Sequence, residues 1–193
     1  KKYQRIIFVS NQNKKVFEKL YGNISKRKVI YNYINKERIL KLAQENIDFI
    51  TEDETTFLTV SRLVKQKGID RFIRVHKKLI DDGLKHKVYV IGDGPEKINL
   101  QNLVKQLEVQ DTFILLGKKE NPYPYIKKCD YFTLLSYYEG YGMVLEEAKI
   151  LNKPIIITNT AAREAVENYP RKLIIENNEE EIYKELKKVL QGD

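Results

Sequence analysis

Tyr131-Phe132-Thr133-Leu134-Leu135, then Ser136-Tyr137-Tyr138-Glu139-Gly140-Tyr141-Gly142, then Met143 to Leu151, then Pro154-Ile155-Ile156-Ile157-Thr158 is the stretch that decides the fold. Its first and last runs are short, apolar and rich in aromatic or β-branched residues, which predicts buried strands. The run from Met143 to Leu151 has the three- and four-residue apolar spacing of a helix. Strand, glycine loop, helix and strand together are the signature of parallel strands joined by a crossover helix. Working outward, the same alternation recurs from residue 55 onward. Strands are expected at Thr56–Ser61, Lys87–Ile91, Thr112–Leu116 and Lys172–Ile175, and helices at Ile69–Ile80, Glu96–Leu107, Tyr123–Lys128, Ala161–Asn168 and Glu179–Leu190. The predicted fold class is α/β, a Rossmann-like doubly wound parallel sheet whose ligand sits outside the carboxyl ends of its strands. Before it, Arg5–Val9 and Val29–Tyr31 read as strands and Lys14–Tyr21 and Glu37–Glu45 as helices, with polar Asn46–Glu54 as a joint.

The 193 residues, 42% hydrophobic and 32% charged, suffice for one domain with a real core plus a fragment of another. No apolar run approaches the roughly 18 to 20 residues that span a bilayer. Lys1-Lys2 is followed only by the short apolar Ile6–Val9, so no signal peptide is expected, and a start at lysine fits a piece of a longer protein. Cys129 is the single cysteine, which excludes an internal disulfide and points to a reducing, cytoplasmic setting; its apolar surroundings predict a small buried residue. His76 and His86 have no cysteine or paired carboxylate near them in sequence, so no metal site is expected. The net charge of +8 is concentrated at the start, where residues 1–41 hold twelve Lys or Arg against Glu18 and Glu37. Such a segment suits a solvated face or attraction to an anionic surface. Motifs for nucleic-acid recognition are absent, and no nucleic-acid partner is expected.

In a parallel sheet every strand-to-helix loop lies on one rim, and the chemically informative residues fall in those loops. Arg62 follows the first strand and Lys67-Gly68 precedes a helix; two cations beside a helix N-terminus suit a phosphate or diphosphate. Gly92-Asp93-Gly94-Pro95 permits a tight turn or a close ligand approach, but lacks the third glycine of a dinucleotide fingerprint. Gly117-Lys118-Lys119 has the position to line a base or ribose pocket. Gly140 and Gly142 let backbone N–H groups face a ligand at a helix start. Glu146 shares a face with Lys149 and reads as solvated. Glu147 has Met143, Val144, Ile150 and Leu151 as its helical neighbours and needs donors, either a ribose diol or an Arg or backbone N–H within the protein. Asn159 or Thr160 is expected to cap the helix that follows.

Taken together and in this order, Val60-Ser61-Arg62-Leu63 with Lys67-Gly68, Gly92-Asp93-Gly94-Pro95, Glu139-Gly140-Tyr141-Gly142 through Glu147-Ala148, and Lys153-Pro154-Ile155-Ile156 resemble the C-terminal half of family 4 glycosyltransferases, retaining enzymes of the GT-B fold. The resemblance covers about residues 28–175. It implies that Arg62 and Lys67 hold the diphosphate of a UDP- or GDP-sugar, that Glu139 lies beside the donor sugar and that Glu147 binds ribose hydroxyls. Backbone amides from Gly140 through Tyr141, Gly142, Met143 and Val144 would contact sugar and phosphates, with Gly92, Gly117 and Lys118 around the nucleotide. It implies no cofactor and no required metal ion. Residues 1–27 then resemble the end of an otherwise missing N-terminal domain that binds a glycan or lipid-linked acceptor, and residues 28–193 the nucleotide-sugar domain. Alone, this piece is expected to bind donor weakly and transfer little. Envelope polysaccharide synthesis and a peripheral contact with the inner face of the cell membrane are further implications. The Thr160-Ala161-Ala162-Arg163 stretch departs from the Gly-Gly-containing pattern common before the glutamate that matches Glu164. The alternative reading is a non-catalytic nucleotide- or phosphate-binding regulatory module.

Overall fold

The computed structural model describes residues 5–22, 26–47 and 54–192. Along these, the elements run β1 (Ile6–Phe8), α1 (Asn11–Tyr21), β2 (Arg27–Val29), α2 (Lys36–Leu42), β3 (Thr55–Val60), a 3-10 turn (Lys65–Lys67), α3 (Ile69–Asp81), β4 (His86–Ile91), α4 (Lys97–Gln106), β5 (Phe113–Gly117), α5 (Tyr123–Lys128), β6 (Tyr131–Leu134), α6 (Met143–Ile150), β7 (Ile155–Thr158), α7 (Arg163–Val166), β8 (Lys172–Ile175) and α8 (Glu179–Gln191). Each expected strand and helix is present, with ends shifted by a few residues. Most of the expected joint lies outside the described residues.

Six strands form one parallel sheet in the order β5-β4-β3-β6-β7-β8, while β1 and β2 pair in a separate parallel ribbon. The strands alternate their side chains between two cores. On one face Phe57, Val88, Val90 and Ile156 pack with Phe72, Ile73 and Leu79 of α3, Leu100 of α4 and Leu186 of α8. On the other, Leu58, Tyr89, Ile91 and Ile157 meet Ile126 of α5, Leu145 and Ala148 of α6 and Val166 of α7. The doubly wound reading therefore holds. Cys129 belongs to the second core, where burial pushes its thiol up to about 12, too high for a nucleophile.

Strand order reverses between β3 and β6, and only Phe57↔Tyr131 and Leu58↔Phe132 are in register there. Beyond that point the buried hydroxyls of Thr59 and Thr133, 2.7 Å apart, bridge the two strands. The carboxyl ends thus flank a crevice at the topological switch point.

His76 and His86, distant from any ligand-type residue in sequence, form a buried pair. His86 Nδ1–H donates to Leu84 O (2.8 Å), which leaves its Nε2 to accept from His76 Nδ1–H (2.8 Å); His76 Nε2 then accepts from the Thr112 hydroxyl (2.9 Å). Burial depresses both rings, His76 to about 3, so both are neutral. Below the ordinary histidine value of 6.5 the unfolded chain binds more protons than the folded one, and stability falls as pH falls. From His76 alone, unfolding free energy should drop by roughly 1 kcal/mol between pH 7 and pH 5.5. Urea melts at the two pH values, on wild type and on His76→Gln, test this; an equal midpoint at both pH values for wild type would contradict it. Among the described residues, no cluster of three or more His, Cys, Asp or Glu is placed to hold a metal ion, and no helix is long and apolar enough to cross a membrane.

Candidate functional site

Two loops meet over the crevice, one leaving β3 and one leaving β6. Gly68 starts α3 in the left-handed region (φ 65°), and a Cβ there would lie 2.4 Å from Leu135 O. Only glycine lets the first turn of α3 approach the end of β6 so closely. The loops are then tied by backbone and amide bonds: Tyr137 N donates to Gln66 O (2.9 Å), and Gln66 Nε2 to Tyr138 O (2.9 Å).

This stitching brings together Lys67 and Glu139, whose Nζ and Oε2 form an ion pair with the side chains only 18% and 10% exposed. The Glu139 carboxylate also accepts from Gly140 N (3.2 Å) and, at 3.5 Å, from Ser136 Oγ. Neither α3 nor α6 has a side-chain cap at its N-terminus, so among the described residues the first N–H groups beside this pair have no side-chain acceptor. The combination of a sequestered lysine and two uncapped helix starts is chemistry for an anionic ligand.

Beneath the loops sits a residue that no sequence motif singles out. Arg71, 1% exposed, donates from Nε (2.9 Å) and Nη2 (2.6 Å) to Leu135 O, and its guanidinium lies 4.2 Å from the centre of the Tyr137 ring. Thr158 Oγ1 donates to the next carbonyl, Ser136 O (2.7 Å). Together they fix the end of β6 and hence the path to Glu139. Arg71 lies on α3 between Asp70 and Phe72, without a pattern that would mark it in sequence.

Arg62 is exposed and lines a hollow of about 380 Å³ with Ser61, Gly92, Asp93, Lys118 and Lys119 at the ends of β3, β4 and β5. Gly92 (φ 156°) is explained by its neighbour: a Cβ there would come within 1.8 Å of Ser61 O. Lys118 pairs with Glu120 (3.3 Å), but both side chains are largely exposed, so the pair holds it weakly.

Glu147 lies half-buried on α6, its carboxylate 3.4 Å from the Tyr123 hydroxyl. Burial raises its pKa, and the one hydrogen bond from Tyr123 offsets this only in part. Among the described residues no Arg, Lys or backbone N–H satisfies it. Its described partner within the protein is thus the Tyr123 hydroxyl, neither the Arg nor the backbone N–H that the sequence reading considered.

Three expectations need correction. Glu146 is not solvated but accepts from Tyr141 OH (2.8 Å) and pairs with Lys149 (2.8 Å). The N-cap of α7 is Ala162, without a side-chain bond, whereas Asn159 donates to Glu176 (3.1 Å) and accepts from Arg163 (3.4 Å). Gly140 is outside the left-handed region, so its backbone conformation does not demand glycine; Gly142 (φ 71°) is within it. The side chains of Tyr141 and Met143 face the N-terminal unit, here β1, α1, β2 and the segment just after β2: the Tyr141 ring lies 5.4 Å from that of Tyr31, and Met143 Sδ accepts from Asn32 Nδ2 (3.3 Å).

Glu164 anchors that unit. Its Oε1 accepts from Asn11 N (2.8 Å) and Tyr31 OH (2.8 Å), and its Oε2 from Gln12 N (2.7 Å), closing the start of α1. Burial alone would raise this carboxyl, but these donors outweigh it and hold it below the usual glutamate range.

This is an α/β architecture with a six-stranded parallel sheet, similar to that of GT-B glycosyltransferases. Residues 41–193 match the family described as glycosyl transferases group 1, and the chain belongs to that family. It is 33% identical over 164 residues to an uncharacterized glycosyltransferase of Methanocaldococcus jannaschii, covering 82% of this chain and 40% of that protein. It is 30% identical over 198 residues to the N-acetylgalactosamine-N,N'-diacetylbacillosaminyl-diphospho-undecaprenol 4-alpha-N-acetylgalactosaminyltransferase of Campylobacter jejuni, covering 99% of this chain and 53% of that one. Among solved structures, the Anabaena protein HepE in complex with UDP and glucose superposes with a TM-score of 0.79 at 20% identity, covering 97% of this chain and 52% of the other. The chain spans about half the length of the curated relatives it matches.

Proposed function

We propose that this chain is the C-terminal, nucleotide-sugar-binding half of a retaining glycosyltransferase of the family 4 type. The observation that carries the reading is the Lys67–Glu139 pair at the switch-point crevice, between two helix starts that no side chain caps. In this reading Lys67, with Arg62, receives the diphosphate of a UDP- or GDP-sugar. The N–H groups near Gly142, Met143 and Val144 share its charge. Glu139 borders the sugar, Glu147 takes the ribose hydroxyls, and the hollow lined by Gly92 and Lys118, with Gly117 next to Lys118 in the chain, holds part of the nucleoside.

Transfer exchanges the bond between the anomeric carbon and a diphosphate oxygen for a bond to an acceptor hydroxyl oxygen, whose proton leaves with the diphosphate, and negative charge grows on the departing group. Fixed cations and backbone N–H groups stabilise that charge without reorganising, so no metal ion is required. Residues 28–193 form the donor domain. Residues 1–27 belong to an acceptor domain whose remainder lies outside this sequence, so this chain alone transfers little. The diphospho-undecaprenol in the name of the Campylobacter relative favours a lipid-linked acceptor. With it we propose envelope polysaccharide synthesis at the cytoplasmic face of the membrane.

The test is an NMR titration with UDP and with GDP. Amide shifts are expected at Arg62 and from Gly140 to Val144 for one of the two nucleotides. Silence of those amides at millimolar concentrations of both would overturn the proposal.

A further inference from the structure

The N-terminal unit reaches the same loop as Lys67. Asn13, in the first turn of α1, places its amide beside Gly140: a Cβ built on Gly140 would stand 3.6 Å from Asn13 Nδ2 and 3.9 Å from Oδ1. Gly140 N is bonded to the Glu139 carboxylate at 3.2 Å, so the Asn13 amide lies next to that carboxylate's loop. Two contacts fix it there. Asn13 N donates to the buried Ser10 Oγ (3.0 Å), and Glu164 holds Asn11 N and Gln12 N just ahead of it. Yet among the described residues the Asn13 side chain makes no hydrogen bond of its own. A half-buried amide with two donors and an acceptor, aimed at a loop and left unused, is arranged to bind something.

Gly140 supports the same conclusion. Its backbone does not require glycine, and a methyl group there would meet the protein only at ordinary contact distance. What a side chain at Gly140 would occupy is the space between Asn13 and the Glu139 loop.

Resting on the donor-site reading above, we infer that the site extends across to α1, with Asn13 hydrogen-bonding the hydroxyl-bearing sugar of the nucleotide sugar and Glu164 acting as its positioning residue. The diphosphate and ribose are served by Arg62, Lys67 and Glu147, so Asn13 discriminates sugar nucleotide from bare nucleotide.

Calorimetric titration of the full-length protein with UDP, GDP, UDP-glucose, UDP-N-acetylglucosamine and GDP-mannose decides. For Asn13→Ala, affinity for the nucleoside diphosphate that wild type binds should change less than twofold, while affinity for the matching sugar nucleotide falls about threefold to tenfold, as expected for one neutral hydrogen bond. The melting temperature should stay at the wild-type value, because no hydrogen bond within the protein is lost. Glu164→Gln should show the same selective loss, and the double variant should be no worse than Asn13→Ala, because Glu164 acts through Asn13. Equal weakening of both ligand classes, or unchanged sugar-nucleotide affinity, would overturn the inference while leaving the donor-site reading intact. Failure of wild type to bind any of the five would instead remove the donor-site reading on which it rests.

Discussion

Glu147→Ala in the full-length protein should weaken nucleoside diphosphate binding by about 10- to 100-fold and leave the melting temperature unchanged or raised. These opposite directions follow from how the carboxylate is held. The side chain is half-buried on α6, its pKa raised by burial, and its one partner among the described residues is the Tyr123 hydroxyl at 3.4 Å. A carboxylate in that setting is a cost to the free protein, and removing it relieves the cost. In the complex the same group accepts from two ribose hydroxyls, and hydrogen bonds to a charged acceptor contribute about 1.5–3 kcal/mol. A folded-state pKa above the ordinary glutamate value favours the folded state below the unfolded pKa, and that contribution is lost as pH rises through the folded pKa. Nucleotide affinity runs the other way, declining as pH falls through that raised value, because ribose recognition uses the ionised form. Glu147→Gln should flatten the affinity profile. If Glu147→Ala unfolds the domain, or binds nucleotide as wild type does, Glu147 is a packing residue and the assignment fails.

How much of this was legible beforehand depends on the range of the interaction. The β-α alternation and the rim on which Arg62, Lys67, Gly92, Gly117 and Glu139 lie follow from local periodicity and from the rule that parallel strands present their loops on one edge. Loop chemistry therefore showed in sequence without any knowledge of strand order. What lies across the sheet did not show. Arg71 bonds to a carbonyl 64 residues away, and Glu164 to a helix start more than 150 residues away. Nothing in the neighbours of either residue signals its partner. The same blindness explains Glu146, whose Lys149 neighbour was visible but whose Tyr141 partner depends on how the loop before α6 folds back. Asn159 departs from its expected role for a related reason. A polar residue after a strand and before a helix is usually a cap, but α7 starts at Arg163, leaving Asn159 to bond Glu176 after β8. His76 and His86 lie ten residues apart on α3 and β4, and pair because the sheet brings them face to face.

The largest effect should come from Lys67→Met, with transfer by the full-length protein falling on the order of 10²- to 10³-fold, the loss seen when one fixed donor to a developing anion is removed. Its stability effect separates two roles that the ion pair combines. Without Lys67, the Glu139 carboxylate keeps Gly140 N and Ser136 Oγ but loses its only cation among the described residues, at 10% exposure. Stranding a sequestered charge costs up to about 3 kcal/mol, so the single variant should melt lower. Lys67→Met with Glu139→Gln removes the stranded charge and should recover most of that stability, because a neutral amide still accepts from Gly140 N. It should recover none of the transfer rate, since the diphosphate still lacks its cation. The free-protein pair also means that the incoming diphosphate competes with Glu139 for Lys67. Glu139→Gln alone should therefore bind nucleoside diphosphate at least as tightly as wild type while transferring poorly. A double variant that regains both stability and turnover would show that Lys67 serves only to neutralise Glu139, and the diphosphate would need another cation.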